Sequence, residues 1–242
     1  MEIINTSLVD LHNLTTVDAI NTIKKYCETS KLDIVVTPNI DHLARILTEG
    51  ATSELKAIYA RASLCLCDSQ ILAKLLQLKN KRVKEVITGS SLTKNLFDSH
   101  HMLNQTILVI GGEDRVFNKL LAQYPNLNLF HINPTMGFIN DQDEINKVIN
   151  YAEQVQPNYV FLAVGSPRQE VLAEKLQLTL TKGVALCIGA SILFLVGEER
   201  RAPHWVQRLS LEWCYRMCQN PKVLVTRYFS NFFKLPQIFK AL

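Results

Sequence analysis

Seven short apolar runs, at residues 32–37, 63–67, 83–88, 106–110, 127–132, 159–164 and 183–188, recur along this chain with longer amphipathic stretches between them. Runs of this length without strict polar alternation suit strands covered on both faces. Helical spacers between such strands give right-handed crossovers and a mostly parallel sheet. The expected fold is therefore α/β, a doubly wound, Rossmann-like sheet. With 242 residues, 48% of them hydrophobic, the chain can bury a full core as one large domain plus a small appendage. The one shift in composition falls near Gly197, which sets a Rossmann-like domain at 1–197 and a basic, aromatic helical appendage at 198–242.

That appendage holds most of the charge asymmetry. Residues 200–242 carry eight Lys or Arg and one acid, Glu212, against 18 basic and 21 acidic residues in the remainder. The net charge of +4 is thus a body of −3 joined to a tail of +7, and eight of the nineteen aromatic residues lie in the tail. Val206, Leu209, Trp213 and Met217 fall at helical spacing, Asn220-Pro221 breaks that helix, and residues 222–229 begin another. Core packing accounts for the apolar stripe as readily as membrane contact does. The lack of acids after Glu212 favours an anionic, apolar partner, which an anionic membrane surface satisfies. Arg201, Arg208, Arg216 and Arg227 are the candidates to pair with membrane or acceptor phosphates. A nucleic-acid partner is not expected, since no binding motif accompanies the basic residues. No run approaches the roughly 18 apolar residues of a spanning helix. Residues 1–5 lack the regions of a signal peptide, so a cytoplasmic body is expected, and a homo-oligomer stays open.

The six cysteines form no pair of CxxC units and the six histidines no HExxH spacing. Reduced, mostly buried thiols are expected, with neither a protein-held metal nor a cofactor.

In parallel sheets, ligands bind at the carboxyl ends of the strands. Those ends carry Thr37-Pro38-Asn39, Asp68-Ser69-Gln70, Thr88-Gly89-Ser90-Ser91, Gly111-Gly112, Gly165 to Glu170, and Gly189-Ala190-Ser191. Glycines let backbone N–H groups approach a ligand and helix N-termini offer unpaired donors, so the set suits a phosphate ester or nucleotide. Gly165-Ser166-Pro167-Arg168-Gln169-Glu170 reads as a helix start with Ser166 as cap and Pro167 at the first helical position. That leaves an Arg and an amide unexplained at the crevice mouth. Asp68 is either the cap of the helix that follows or a general base. Thr37-Pro38-Asn39 opens a helix, where Asn39 caps or holds a sugar hydroxyl. Asp141-Gln142-Asp143 has the form of a DxD metal motif but precedes a helical stretch, 144–154, where capping is favoured.

Taken in order, Thr37-Pro38-Asn39, Asp68, Gly89, Gly111-Gly112, Tyr124-Pro125, Gly137, Gly165 to Glu170, Gly197, Arg201-Ala202-Pro203 and Leu211-Glu212-Trp213-Cys214-Tyr215-Arg216 resemble the WecG/TagA/CpsF glycosyltransferase family. The resemblance implies transfer of a sugar, with inversion, from a UDP-sugar donor to a lipid-diphosphate-linked acceptor at the inner face of the plasma membrane, without a DxD-bound metal. It implies Asp68 as the base and Thr37 and Asn39 near sugar and acceptor. Gln169 becomes a polar contact in the pocket, and Arg208, Arg216 and Arg227 part of a C-terminal lid. Gly111, Gly112, Gly165, Ser166, Arg168 and Glu170 complete the expected substrate-binding set. Ser69, Val86 and Ser91 replace the family's Gly, Arg and Asp, and Gly189-Ala190-Ser191-Ile192-Leu193 replaces Gly-Gly-Ala-Phe-Asp. These departures bear on the donor sugar more than on the reaction type, and they motivate the alternative of a non-catalytic, membrane-docked partner in polysaccharide assembly.

Overall fold

The computed structural model describes residues 1–200, 202–203, 206, 212–219 and 221–242. Six parallel strands form its sheet: β3 (Asp33–Val36), β4 (Leu64–Cys65), β5 (Thr106–Ile110), β6 (Asn128–Ile132), β7 (Tyr159–Leu162) and β8 (Val184–Cys187), in the spatial order β4-β3-β8-β7-β5-β6. Every residue of β3, β7 and β8 is buried, as expected for strands covered on both sides. The pleat sends alternate side chains into two cores. Ile34, Val36, Leu108, Ile110, Val160, Leu162, Ala185 and Cys187 enter one, with α2 (Ile40–Glu49), α3 (Glu54–Arg61), α4 (Gln70–Leu78), α7 (Gln142–Val155) and α8 (Arg168–Gln177). Val35, Ile107, Val109, Tyr159, Phe161, Val184 and Leu186 enter the other, with α1 (Thr16–Tyr26), α5 (Gly89–Phe97), α6 (Asp114–Gln123) and α9 (Ser191–Leu195). Each Val, Leu, Ile or Phe among them contributes about 1.5–3 kcal/mol relative to exposure.

Two elements differ from the sequence expectation. Residues 83–88 form no strand: Ile87 is buried and its N–H bonds to Cys67 O, but Lys84 and Glu85 lie outward and no ladder forms. An antiparallel pair not foreseen, β1 (Ile3–Ile4) with β2 (Leu11–His12), closes the N-terminal end, where His12 Nδ1 accepts the Cys65 N–H at 3.0 Å.

Helix starts follow local side-chain chemistry. Thr15, Asn39, Ser53, Ser69, Thr88 and Asp141 cap α1, α2, α3, α4, α5 and α7 with side-chain oxygens. Asp141 accepts from the N–H groups of Asp143 and Glu144, so capping is its role. In the tail lie α10 (Glu212–Gln219) and α11 (Pro221–Ala241), the latter 21 residues long with Pro221 as its first residue, while Leu209 and Asn220 lie outside the described residues. It lies against α2, with Asn231 Nδ2 donating to Asp41 Oδ1 at 2.8 Å and Lys234 Nζ to Thr48 Oγ1 at 2.6 Å. Ile238 and Leu242 join the core on the α2 side, and Ala241 O accepts from both the N–H and the hydroxyl of Ser7. Cys65, Cys67 and Cys187 are buried free thiols, and burial pushes Cys67 up to about 12.

Candidate active site

The helix after β3 packs into one core and the helix after β8 into the other, so a crevice opens between their carboxyl ends. Thr37 leaves β3 there, largely buried. Asp68 follows β4, its N–H bonded to Pro38 O at 3.0 Å. The sequence offered Asp68 as a cap, but Ser69 takes that place with its hydroxyl on the Leu72 N–H at 3.2 Å. The Asp68 carboxylate turns instead to α5, where Oδ2 accepts the Gly89 N–H at 3.0 Å. A Cβ on Gly89 would stand 3.2 Å from Thr37 Oγ1, 3.3 Å from Ser191 Oγ and 3.6 Å from Asp68 Oδ2. Three side-chain oxygens from three strand ends thus surround one glycine, which leaves the space a side chain would fill. Asn39, two residues on from Thr37, spends its Oδ1 on the Asp41 N–H and caps α2 together with His42.

The loop after β7 ties this crevice to its neighbour. The helix begins at Arg168 with Pro167 in the cap position and no side-chain cap, which corrects the reading of Ser166 as cap and Pro167 as first helical residue. Gly165 has φ +76°, a left-handed turn that carries Ser166 inward, and its Oγ is buried without a partner among the described residues. Gln169, 3% exposed, accepts the Gly189 N–H at 2.8 Å through Oε1 and donates through Nε2 to Glu170 Oε1 at 2.9 Å. Glu170, 1% exposed, also accepts from the Tyr59 hydroxyl at 3.3 Å, and burial followed by the Glu170 charge holds that phenol well above its ordinary range. Gln169 and Glu170 therefore brace the loops that line the crevice.

Arg168 folds back over Gly165, its Nη2 3.3 Å from where a Cβ there would stand. It borders a cavity of about 240 Å³ together with Gly112, Val116, Gly165, Gly189 and Leu193. Gly111 meets that loop closely, since a Cβ on it would lie 2.7 Å from Val164 Cγ1. A larger cavity, about 310 Å³, lies between α3 and α8 and shares only Pro167 with the strand-end loops. His131 and Tyr59 are contacts that sequence reasoning missed. His131 is the one titratable side chain of its run, but nothing local names the loop it supports.

Arg201 and Arg208 lie outside the described residues, and Arg216 and Arg227 are placed only as members of α10 and α11. On α11, Phe229, Phe232 and Phe233 are 65, 64 and 64% exposed, with Phe233 in contact with both others at 4.9 and 5.9 Å between ring centroids. Among the described residues no helix is long and apolar enough to cross a membrane.

The model of the glycosyl transferase WecG/TagA/CpsF family matches residues 3–242. The chain belongs to this family. Membership in the WecG/TagA/CpsF family makes it a glycosyltransferase. Among curated relatives, an N-acetylglucosaminyldiphosphoundecaprenol N-acetyl-beta-D-mannosaminyltransferase of Bacillus subtilis is 30% identical over 60% of this chain and 56% of its own length. This chain thus spans little more than half of that relative. Proteins of the same name from Staphylococcus aureus strains MRSA252 and NCTC 8325 are 25 and 26% identical, over 86% of this chain and 81% of theirs. The WecG/TagA/CpsF match includes both the strand-end loops and the tail, so crevice and α11 fall within one family unit.

Proposed function

We propose that this protein transfers a sugar from a UDP-sugar donor to a polyprenyl-diphosphate-linked acceptor, with inversion at the anomeric carbon, in bacterial surface polysaccharide synthesis. The reading rests on the convergence of Asp68, Thr37 and Ser191 around Gly89. The names of the relatives support a lipid-diphosphate acceptor bearing an N-acetylhexosamine.

Asp68 serves as general base. The acceptor hydroxyl oxygen bonds to the anomeric carbon, the bond from that carbon to UDP breaks, and the hydroxyl proton passes to the carboxylate. Thr37 and Asn39 line the side from which the sugars enter. The departing diphosphate lies toward Gly112, Gly165 and Arg168, where a guanidinium and the N-terminus of α8 offset its charge. This stabilisation works without a protein-held metal, in keeping with the use of Asp141 as a cap. The segment 198–242 is the membrane-facing part, with Phe229, Phe232 and Phe233 entering an anionic leaflet on the cytoplasmic side and tail arginines meeting phosphates.

The test is a panel of UDP-sugars offered to purified protein with polyprenyl-diphosphate acceptors, including one carrying N-acetylglucosamine, on anionic liposomes. Formation of a β-linked product from an α-linked donor, read by NMR, is the expected result. The absence of both transfer and donor hydrolysis with every sugar would overturn the proposal and favour the non-catalytic partner, a reading motivated by Val86, Ser91 and Leu193.

A further inference from the structure

We infer that His131 is a positioning residue: it holds the Gly111-Gly112 loop so that two adjacent peptide N–H groups face the cavity proposed for the donor diphosphate. The inference rests on the donor reading above. His131 lies on β6 in register with Val109 of β5, whose strand feeds that loop. Its Nε2 stands 3.2 Å from Gly111 O and 3.1 Å from Gly112 O. Carbonyl oxygens only accept, so Nε2 carries the proton and shares it between them. The ring is fixed on its other sides, stacked on Phe117 at 4.4 Å and with Nδ1 3.6 Å from Asp114 Oδ1.

Peptide planarity supplies the consequence. In a trans peptide the C=O and N–H point in opposite directions. With both carbonyls turned onto the imidazole, the N–H groups of Gly112 and Glu113 turn away from it. Neither N–H has a partner among the described residues. Gly111 and Gly112 have φ of +96° and +84°, and successive N–H groups in such a turn form a concave anion site. Gly112 itself borders the cavity that Arg168 and Gly165 share. Two neutral donors from one loop and a cation from another then meet the diphosphate oxygens.

The test compares His131→Phe, which keeps the aromatic face against Phe117 and removes the N–H, with His131→Gln, whose amide keeps a donor of similar reach. Calorimetry with UDP and with uridine, and KM for donor and acceptor, are the readouts. H131F is expected to weaken UDP binding by about tenfold, the scale of a lost net hydrogen bond, and to raise the donor KM alike. Uridine affinity and the acceptor KM stay unchanged, and H131Q recovers most of the loss. Wild-type UDP affinity in folded H131F, or equal weakening of UDP and uridine, would overturn the assignment. Should H131F not fold, H131N, whose shorter amide cannot span to both carbonyls, gives the same comparison. Wild-type protein that binds no nucleoside diphosphate would sink the donor reading itself, a result distinct from an unaffected H131F.

Discussion

Asp68 Oδ2 accepts the backbone N–H of Gly89, and this bears on what a conservative change does. Asp68→Asn preserves the shape and an acceptor oxygen for Gly89, but the amide cannot take a proton. Turnover is expected to fall by about 10²-fold or more, with UDP affinity by calorimetry and the thermal midpoint little changed. A full-rate Asn variant would remove Asp68 from the chemistry. Gly89→Ala tests the crowding around the same point. The new methyl presses on Thr37 and Ser191, and overpacking of this kind costs about 1–3 kcal/mol. Urea unfolding should register that loss, and adding Ser191→Gly should return part of it. The placement of Asp68 at the end of a buried strand was legible in the sequence, because an apolar run that stops at a carboxylate can only deliver it to the sheet's edge. Its partner was not: Gly89 is 21 residues away and arrives through a return of the chain that no local pattern encodes. Ser166 was misread for a related reason, since a cap depends on where the backbone turns and Gly165 turns it early.

Among the elements, α11 presents two faces with different work. Asn231, Lys234 and Ile238 fix one to the body, while Phe229, Phe232 and Phe233 stand outward. Replacing the three phenylalanines by serine should release the protein from anionic liposomes in a sedimentation assay while the thermal midpoint stays within a degree or so, as expected for exposed positions. Ile238→Ala should do the reverse, costing about 2–5 kcal/mol in urea unfolding with liposome binding retained in the folded fraction. The helical character of residues 212–219 and 221–241 was legible in the sequence. Which apolar residues meet protein was not, because an amphipathic stripe states that it needs cover without naming the cover. The sheet strands were clearer, since burial on both faces leaves an unbroken apolar run. Residues 83–88 show the limit of that signal: Ile87 alone is buried, and one backbone bond to Cys67 does not make a ladder.

For the molecule as a whole, the N-terminal hairpin brings a titration into its stability. Burial lowers the pKa of His12, and its Nδ1 accepts the Cys65 N–H, which requires an unprotonated nitrogen. A group whose folded pKa lies below its unfolded value stabilises above the unfolded value, about 6.5, and loses that contribution as pH falls through the folded one. The thermal midpoint should therefore drop on acidification below about pH 6.5, and His12→Asn should flatten the drop. An unaltered pH profile in that variant would assign the acid sensitivity elsewhere. The same end of the molecule receives Ala241, whose carbonyl binds Ser7, and Leu242, whose carbonyl accepts from Lys81. During synthesis the ribosome therefore withholds the pieces that complete the α2 side of the core until residues 238–242 have cleared the exit tunnel. Until then the nascent chain carries that surface uncovered, and the outward aromatics of α11 emerge just ahead of the residues that cover it.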